Sequence, residues 1–155
     1  MSVDIPRNGS RGVEFPPIAH AMFRIFGPLA PLFYRLSGGR MRVQGRPLVV
    51  LTTVGAKSRK ERQTVLGTFP DPRGTLIVAS NAGARQHPGW FYNLARNPDR
   101  VWIEKDGRKV KVRPESLRAG DRAEAWRHVV ALAPGYGPYE TKTDREIPII
   151  RLVPE

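Results

Sequence analysis

Apolar positions follow three textures along the chain. Residues Met1–Glu14 are polar and mixed in charge, with no periodicity, and a disordered terminus is expected there. From Phe15 to Leu36 the chain turns strongly apolar, FPPIAHAMFRIFGPLAPLFYRL, interrupted by Arg24, Gly27, Pro28 and Pro31. Two short helices, Ile18–Phe26 and Leu29–Leu36, accommodate those breaks and leave Arg24, Arg35 and Arg40 at the rim. Past Gly39, short β-branched runs alternate with turn signals. Leu48–Thr53 reads as a buried strand and Gln63–Phe69 as its antiparallel partner, joined by Gly55–Glu61. Asp71–Gly74 is a turn, and Thr75–Ser80 is the third strand. Arg100–Glu104 and Lys109–Arg113 flank Asp106-Gly107, the dipeptide of a tight type I′ hairpin. Ile147–Leu152 is the last strand, with Pro148 at its edge or start.

Two helices interrupt this pattern. One begins near Pro88, carries Trp90, Phe91 and Leu94 at core spacing, and stops at Asn97-Pro98. The other, Ala119–Leu132, sets Ala123, Trp126, Val130 and Ala131 along one side. About six short strands with two helical interruptions predict a mainly β (α+β) fold, a small antiparallel barrel rather than a βαβ sheet. The expected organisation is a polar terminus (1–14), an apolar helical segment (15–40) and a barrel domain (41–155).

Composition narrows the chemistry. A chain of 155 residues can bury a real core in one domain. It has no cysteine, which excludes disulfides, thiolate metal sites and thiol nucleophiles. His20, His87 and His128 show no ligand spacing, so no protein metal site is expected. Lys and Arg total 26 against 14 Asp and Glu, and the net charge of +12 attracts polyanions. Arg24 and the Gly/Pro breaks argue against a membrane span in 15–36, and its late start after Asp4 and Glu14 argues against a secretory signal. A cytoplasmic protein is expected. The apolar face either packs on the domain or lies in a membrane interface or over a substrate pocket.

The charge concentrates on two connections. One carries Lys57, Ser58, Arg59, Lys60 and Arg62; the other, after the third strand, carries Asn81, Gly83 and Arg85. Ammonium, guanidinium, hydroxyl and backbone N–H donors would then surround one cleft, suited to an elongated anion carrying phosphate. Nucleic acid is a poor fit, because no aromatic interleaves the basic run from Lys57 to Arg62 to stack a base.

Three motifs in order, TTVGAKSRKER, ASNAGARQHPGWFYNLARNP and YGPYETKTDREIPII, resemble the deazaflavin-dependent nitroreductase family over about Pro47 to Pro154. The resemblance implies a split β-barrel of the flavin-mononucleotide-binding type. Its implied cofactor is F420, a 5-deazaflavin with a phospholactyl-oligoglutamate tail. Carried over by motif, Lys57, Ser58 and Arg62 bind phosphate and tail, joined by Arg59, Lys60 and Thr64. The Ser80, Asn81, Ala82 and Gly83 turn approaches the ring or ribityl chain, and Trp90 and Asn93 wall the groove. Read from the residues alone, Trp90 and Asn93 are more often core packing with one satisfied hydrogen bond, and the Trp90 role is structural. The chain departs from the family pattern where Arg59 and Glu61 replace a glycine and a proline. Asn81 stands where lysine is common, with Arg59, Lys60 and Arg85 available to compensate, and Gly67 stands where an aromatic can occur.

The implied reaction is hydride transfer from the reduced deazaflavin to a planar electrophile: a quinone, an enone or a nitroaromatic. Ser80, Tyr136 and Tyr139 are the candidate donors to the developing oxyanion. A tyrosine at its ordinary pKa of ~10 donates without ionising first. The bland alternative is that both tyrosines merely pin a Gly/Pro loop. Asp144 and Arg145 read as a structural ion pair holding that loop. A flavin-mononucleotide enzyme and a non-catalytic deazaflavin binder stand as alternatives, since the barrel alone does not choose a cofactor. No self-complementary patch fixes an oligomeric state.

Overall fold

The computed structural model describes residues 3–155. Eight strands form one curled antiparallel sheet: β1 Arg42–Val43, β2 Arg46–Val54, β3 Glu61–Gly67, β4 Phe69–Asp71, β5 Gly74–Val78, β6 Trp102–Lys105, β7 Arg108–Ser116 and β8 Ile149–Pro154. Their order is β1-β2-β6-β7-β8-β5-β4, with β3 branching from β2. β3 packs near β5 without pairing to it, and this gap is the split in the barrel. Five α-helices flank the sheet: α1 Pro17–Phe26, α2 Ala30–Leu36, α3 Gly89–Arg96, α4 Ala119–Leu132 and α5 Gly137–Lys142.

The unbroken apolar run of β2 follows from burial on both faces. Val49 and Leu51 enter the main core with Ile77, Phe91, Leu94 and Leu152. Leu48 and Val50 pack instead under Tyr34 of α2. β8 divides in the same way, sending Ile150 and Leu152 to the main core and Ile149 to a second one built on Phe69, Leu76, Trp126 and Val129. Each fully buried Leu or Ile stabilises by about 1.5–3 kcal/mol. The hairpin expected at Asp106-Gly107 has φ of 51° and 74° there, as a type I′ turn requires.

Several expectations are corrected. Residues 3–14, expected to be disordered, run as a strap along the barrel. (Met1 and Ser2 lie outside the described residues.) Val3 is buried in the main core, and the N–H groups of Gly9 and Val13 donate to the carbonyls of Arg85 and Gly83, both at 2.9 Å. Polar composition hid this because the strap is held by main-chain bonds, and Gly12 lets it pass where a Cβ would strike Arg85 backbone. Tyr136 leads into a real helix, α5, that the Gly/Pro content concealed, with Pro138 in its first turn. On α4 the buried face is Ala125, Trp126 and Val129; Ala123 and Ala131 are exposed.

Asp144 and Arg145 do not pair. The chain is extended at Thr143, with φ −129° and ψ 152°, and burial alternates from Thr143 to Ile147, so the two charges face opposite sides. Asp144 turns out to the strap, where the Ser10 hydroxyl and the N–H groups of Arg11 and Ser10 hold its carboxyl down to about 2. Arg145 turns in.

Candidate active site

The loop between β2 and β3 is a tight structure in which each residue has a task. Gly55 N–H donates to the Lys60 carbonyl at 2.8 Å, and Arg59 N–H to the Gly55 carbonyl at 3.0 Å. A Cβ on Gly55 would collide with Ser58 Oγ, which accepts from Lys60 N–H at 3.3 Å. Arg59 adopts φ +62°, so it occupies the left-handed conformation that the missing glycine would favour, at about 1–2 kcal/mol.

Helix α3 anchors this loop. Asn93 Oδ1 accepts from Ala56 N–H at 3.0 Å, and one turn later Asn97 Nδ2 donates to the Val54 carbonyl at 3.2 Å. Between loop and helix lies a cleft of about 600 Å³ lined by Lys57, Ser58, Arg62, Asn93 and, unforeseen in the sequence, Tyr92 and Arg96. Among the described residues, Lys57, Arg62 and Arg96 join no ion pair. Three cations around one opening without a carboxylate of their own await an anion.

A second cleft, about 540 Å³, opens along the split of the barrel. Its wall is mostly apolar, with Met41, Val43, Leu48, Val65, Leu66 and Val78, and its polar groups are Thr64, Ser80, Asn81 and Tyr136. The two clefts adjoin. Gly89 lines the first and Trp90 the second, and Arg62 and Thr64 of β3 divide in the same way. An elongated guest with an anionic tail and a planar ring fits this pair of spaces.

The turn at the mouth of the second cleft is strained. Asn81, Ala82 and Gly83 have φ of 44°, 52° and 80°, three consecutive left-handed residues. The two that are not glycine cost about 1–2 kcal/mol each, less for asparagine, and such a turn persists only where its surroundings impose it. Gly83 and Ala84 N–H groups donate back to the Ser80 and Asn81 carbonyls, and Asn81 Nδ2 donates to the Gln86 carbonyl. At most the N–H groups of Asn81 and Ala82 are left for a ligand. Beneath the turn, buried Arg145 donates to three carbonyls: Ala84 at 2.8 Å, Ala79 at 3.1 Å and Ser80 at 2.6 Å.

The remaining sequence candidates separate. Tyr136 stands in the second cleft, edge-on to Phe69 at 5.3 Å and to Tyr139 at 5.4 Å. Burial, then the neighbouring Tyr139, push its phenol above the usual range, so it holds its proton at neutral pH. Tyr139 lines neither cleft; its hydroxyl accepts from Gln44 Nε2 at 3.4 Å. Arg59, Lys60, Ala82 and Gly83 also line neither, and Arg85 borders a separate hollow beside Val13 and Phe15. The sequence reading missed Arg145 and His87. Burial alternates from Thr143 to Ile147 in the fold, which the letters TDREI do not show, and His87 carries no sequence signal of its own.

The model of the F420H(2)-dependent quinone reductase family matches residues 30–154. The chain belongs to that family. An F420H(2)-dependent quinone reductase of Mycobacterium tuberculosis is 37% identical over 125 residues, covering 77% of this chain and 83% of that protein. A solved F420-H2 dependent reductase superposes with a TM-score of 0.61 at 34% identity, over 72% of this chain and 98% of its own. Another solved structure, described as a domain-swapped dimer, gives 0.63 at 28% identity, over 88% of this chain and 99% of its own. An F420H(2)-dependent quinone reductase is an oxidoreductase with coenzyme F420 as its cofactor, which decides between the deazaflavin and flavin mononucleotide. None of these relatives carries the nitroreductase name. The strap and α1 precede the matched region.

Proposed function

We propose that this chain binds reduced F420 across the two adjoining clefts and delivers its hydride to a quinone in the apolar one. The observation that carries this reading is the juxtaposition of three unpaired cations with an apolar slot along one helix and one strand. When bound, the reduced deazaflavin supplies the hydride. Lys57 meets phosphate as a point charge, while Arg62 and Arg96 offer fork donors to tail carboxylates. Ser58 serves chiefly to shape the loop. Thr64, Trp90, Ser80 and Asn81 border the ring space, and Asn93 holds the loop against α3. Tyr136, protonated and half-buried, donates a hydrogen bond and then a proton to the acceptor oxygen as charge develops there. Tyr139 keeps the Tyr136 ring in place.

The N-terminal helices bear on where the acceptor comes from. No helix among the described residues is long and apolar enough to cross a membrane. Yet Ile18 is 70% exposed, Phe23 63% and Leu36 73%, and Phe23 and Met41 sit on the rim of the apolar cleft. Arg24, Arg40 and Arg42 flank this face without an ion pair among the described residues. An anionic lipid surface fits that combination and would present a lipid-soluble quinone at the cleft mouth. Co-sedimentation with anionic but not neutral vesicles, lost on Phe23→Ser and Ile25→Ser substitution, is the expected result; no sedimentation with either sinks the docking.

The experiment for the activity is a fluorescence titration with oxidised F420 and, in parallel, flavin mononucleotide, followed by turnover of F420H2 with a naphthoquinone. Saturable binding of the deazaflavin alone, with quinone-dependent oxidation, is expected. Binding of flavin mononucleotide alone overturns the reading.

A further inference from the structure

The left-handed turn at the cleft mouth is held from behind by groups that no part of the reaction uses. Arg145 reaches both ends of the turn, Ala79 and Ser80 on one side and Ala84 on the other, and donates also to His87 Nδ1 at 3.1 Å. No carboxylate compensates it among the described residues. A guanidinium has donors only, so Nδ1 must accept, and the ring proton stands on Nε2, which donates to the Pro6 carbonyl at 2.8 Å. The strap therefore fixes the tautomer that Arg145 requires. Asn8 Oδ1 completes the contact by accepting from His87 N–H and from the Tyr92 hydroxyl, and Tyr92 walls the cationic cleft.

We infer that Arg145 and His87 are positioning residues for the cofactor turn, and that the strap, outside the matched family region, is a working part of the site. The inference rests on the F420 reading above. A buried arginine that only filled space would be replaced by an apolar side chain at no loss. This one spends three of its hydrogen bonds on carbonyls of a single strained turn.

The arrangement is sensitive to acid. The groups that face His87 are the Arg145 guanidinium, the Phe91 and Tyr92 rings at 5.2 and 5.9 Å, and the main chain of Pro6 and Arg7 with the Asn8 amide. A proton on Nδ1 would set two donors and two cations 3.1 Å apart. Burial first, and the Arg145 charge against the strap's carbonyl bond, hold His87 below its usual value. The folded pKa is depressed, so the neutral network is complete at neutral pH and opens as pH falls through that value.

The test uses the full chain titrated with oxidised F420 between about pH 5 and pH 8. Affinity is expected to fall at the acid end. His87→Gln can accept from Arg145 and donate to Pro6 but gains no proton, and it is expected to remove that acid-side loss. Arg145→Lys, which lacks the fork, and Gly12→Ala, which lifts the strap off Arg85, are each expected to weaken binding about tenfold at neutral pH. Equal pH profiles for wild type and His87→Gln overturn the inference, as does unchanged affinity in Gly12→Ala. Should Arg145→Lys not fold, those two variants decide. If wild type binds no F420 at any pH, the functional reading fails instead. Amide exchange at Asn81–Ala84 in the cofactor-free protein then decides the inference: acid-dependent loss of protection in wild type but not His87→Gln supports it, and identical exchange sinks it.

Discussion

Two charged regions of this molecule use arginine in opposite ways. At the end of the sheet formed by β4, β7 and β8, Arg73, Arg113 and Arg151 converge on Glu115 at 3.1–3.6 Å, and Arg151 also binds Asp71 at 2.8 Å. Around the first cleft, Lys57, Arg62 and Arg96 have no acid to meet among the described residues. The first group is saturated and holds strands together. The second keeps its electrostatic capacity for a guest. What distinguishes them is not residue type or exposure of the cation but whether the chain supplies the carboxylate.

The comparison breaks most sharply at Glu115. Replacing it by alanine leaves three arginines facing a buried vacancy and is expected to cost about 2–3 kcal/mol, allowing for screening of the exposed Arg73 and Arg113. Urea unfolding measures that, while F420 affinity stays within twofold. The mirror experiment is Lys57→Ala with Arg62→Ala. These should weaken F420 binding by about tenfold each and steepen no unfolding curve, since exposed substitutions shift stability within about 0.5 kcal/mol. Raising the salt should reproduce the loss in wild type, and salt-independent binding contradicts the electrostatic assignment.

Tyr136→Phe should lower kcat about tenfold at constant F420 affinity, and Tyr139→Phe less, because only Tyr136 stands in the cleft. Equal effects would reverse the ranking. Acid titration sharpens the contrast further. Burial raises the carboxyls of Glu115 and Asp71, but the arginine hydrogen bonds and charges outweigh it and hold both below their unfolded values. Their stabilisation is complete above the unfolded pKa, about 4, and is lost as pH falls through the folded values. Melting temperature should drop over that acid range in wild type and less steeply in Glu115→Gln. The smallest effect belongs to Arg59→Gly, which relieves a left-handed φ and should stabilise or destabilise by no more than about 1 kcal/mol.

The sequence exposed what periodicity and turn chemistry encode. β2 and the Asp106-Gly107 hairpin follow from a run of β-branched residues and from a dipeptide that tolerates positive φ. Helix α4 has the bounds its pattern predicts, Ala119–Leu132, though its packing face is turned. β1 and β4, of two and three residues, are too short for any period to register. In the site, Lys57 and Arg62 were legible as basic charge gathered after β2, although Arg62 falls within β3. Tyr139 was not separable from Tyr136, because three residues of spacing cannot say which ring faces a cleft. Arg145 was hidden because its partners are main-chain carbonyls, which no residue letter reports.

The open edge of β3 has one more consequence. Thr64, Val65, Leu66 and Gly67 all border the apolar cleft in unbroken succession, although alternate residues of a strand point to opposite faces. The cleft therefore runs along the strand's edge, where the unpartnered amides and carbonyls belong to the backbone. A guest there meets main-chain groups that side-chain truncation leaves in place; among point substitutions only proline removes one, the N–H at its own position. Side chains around the edge can then be exchanged one at a time to alter which acceptor fits, while the amides and carbonyls of the edge stay in place.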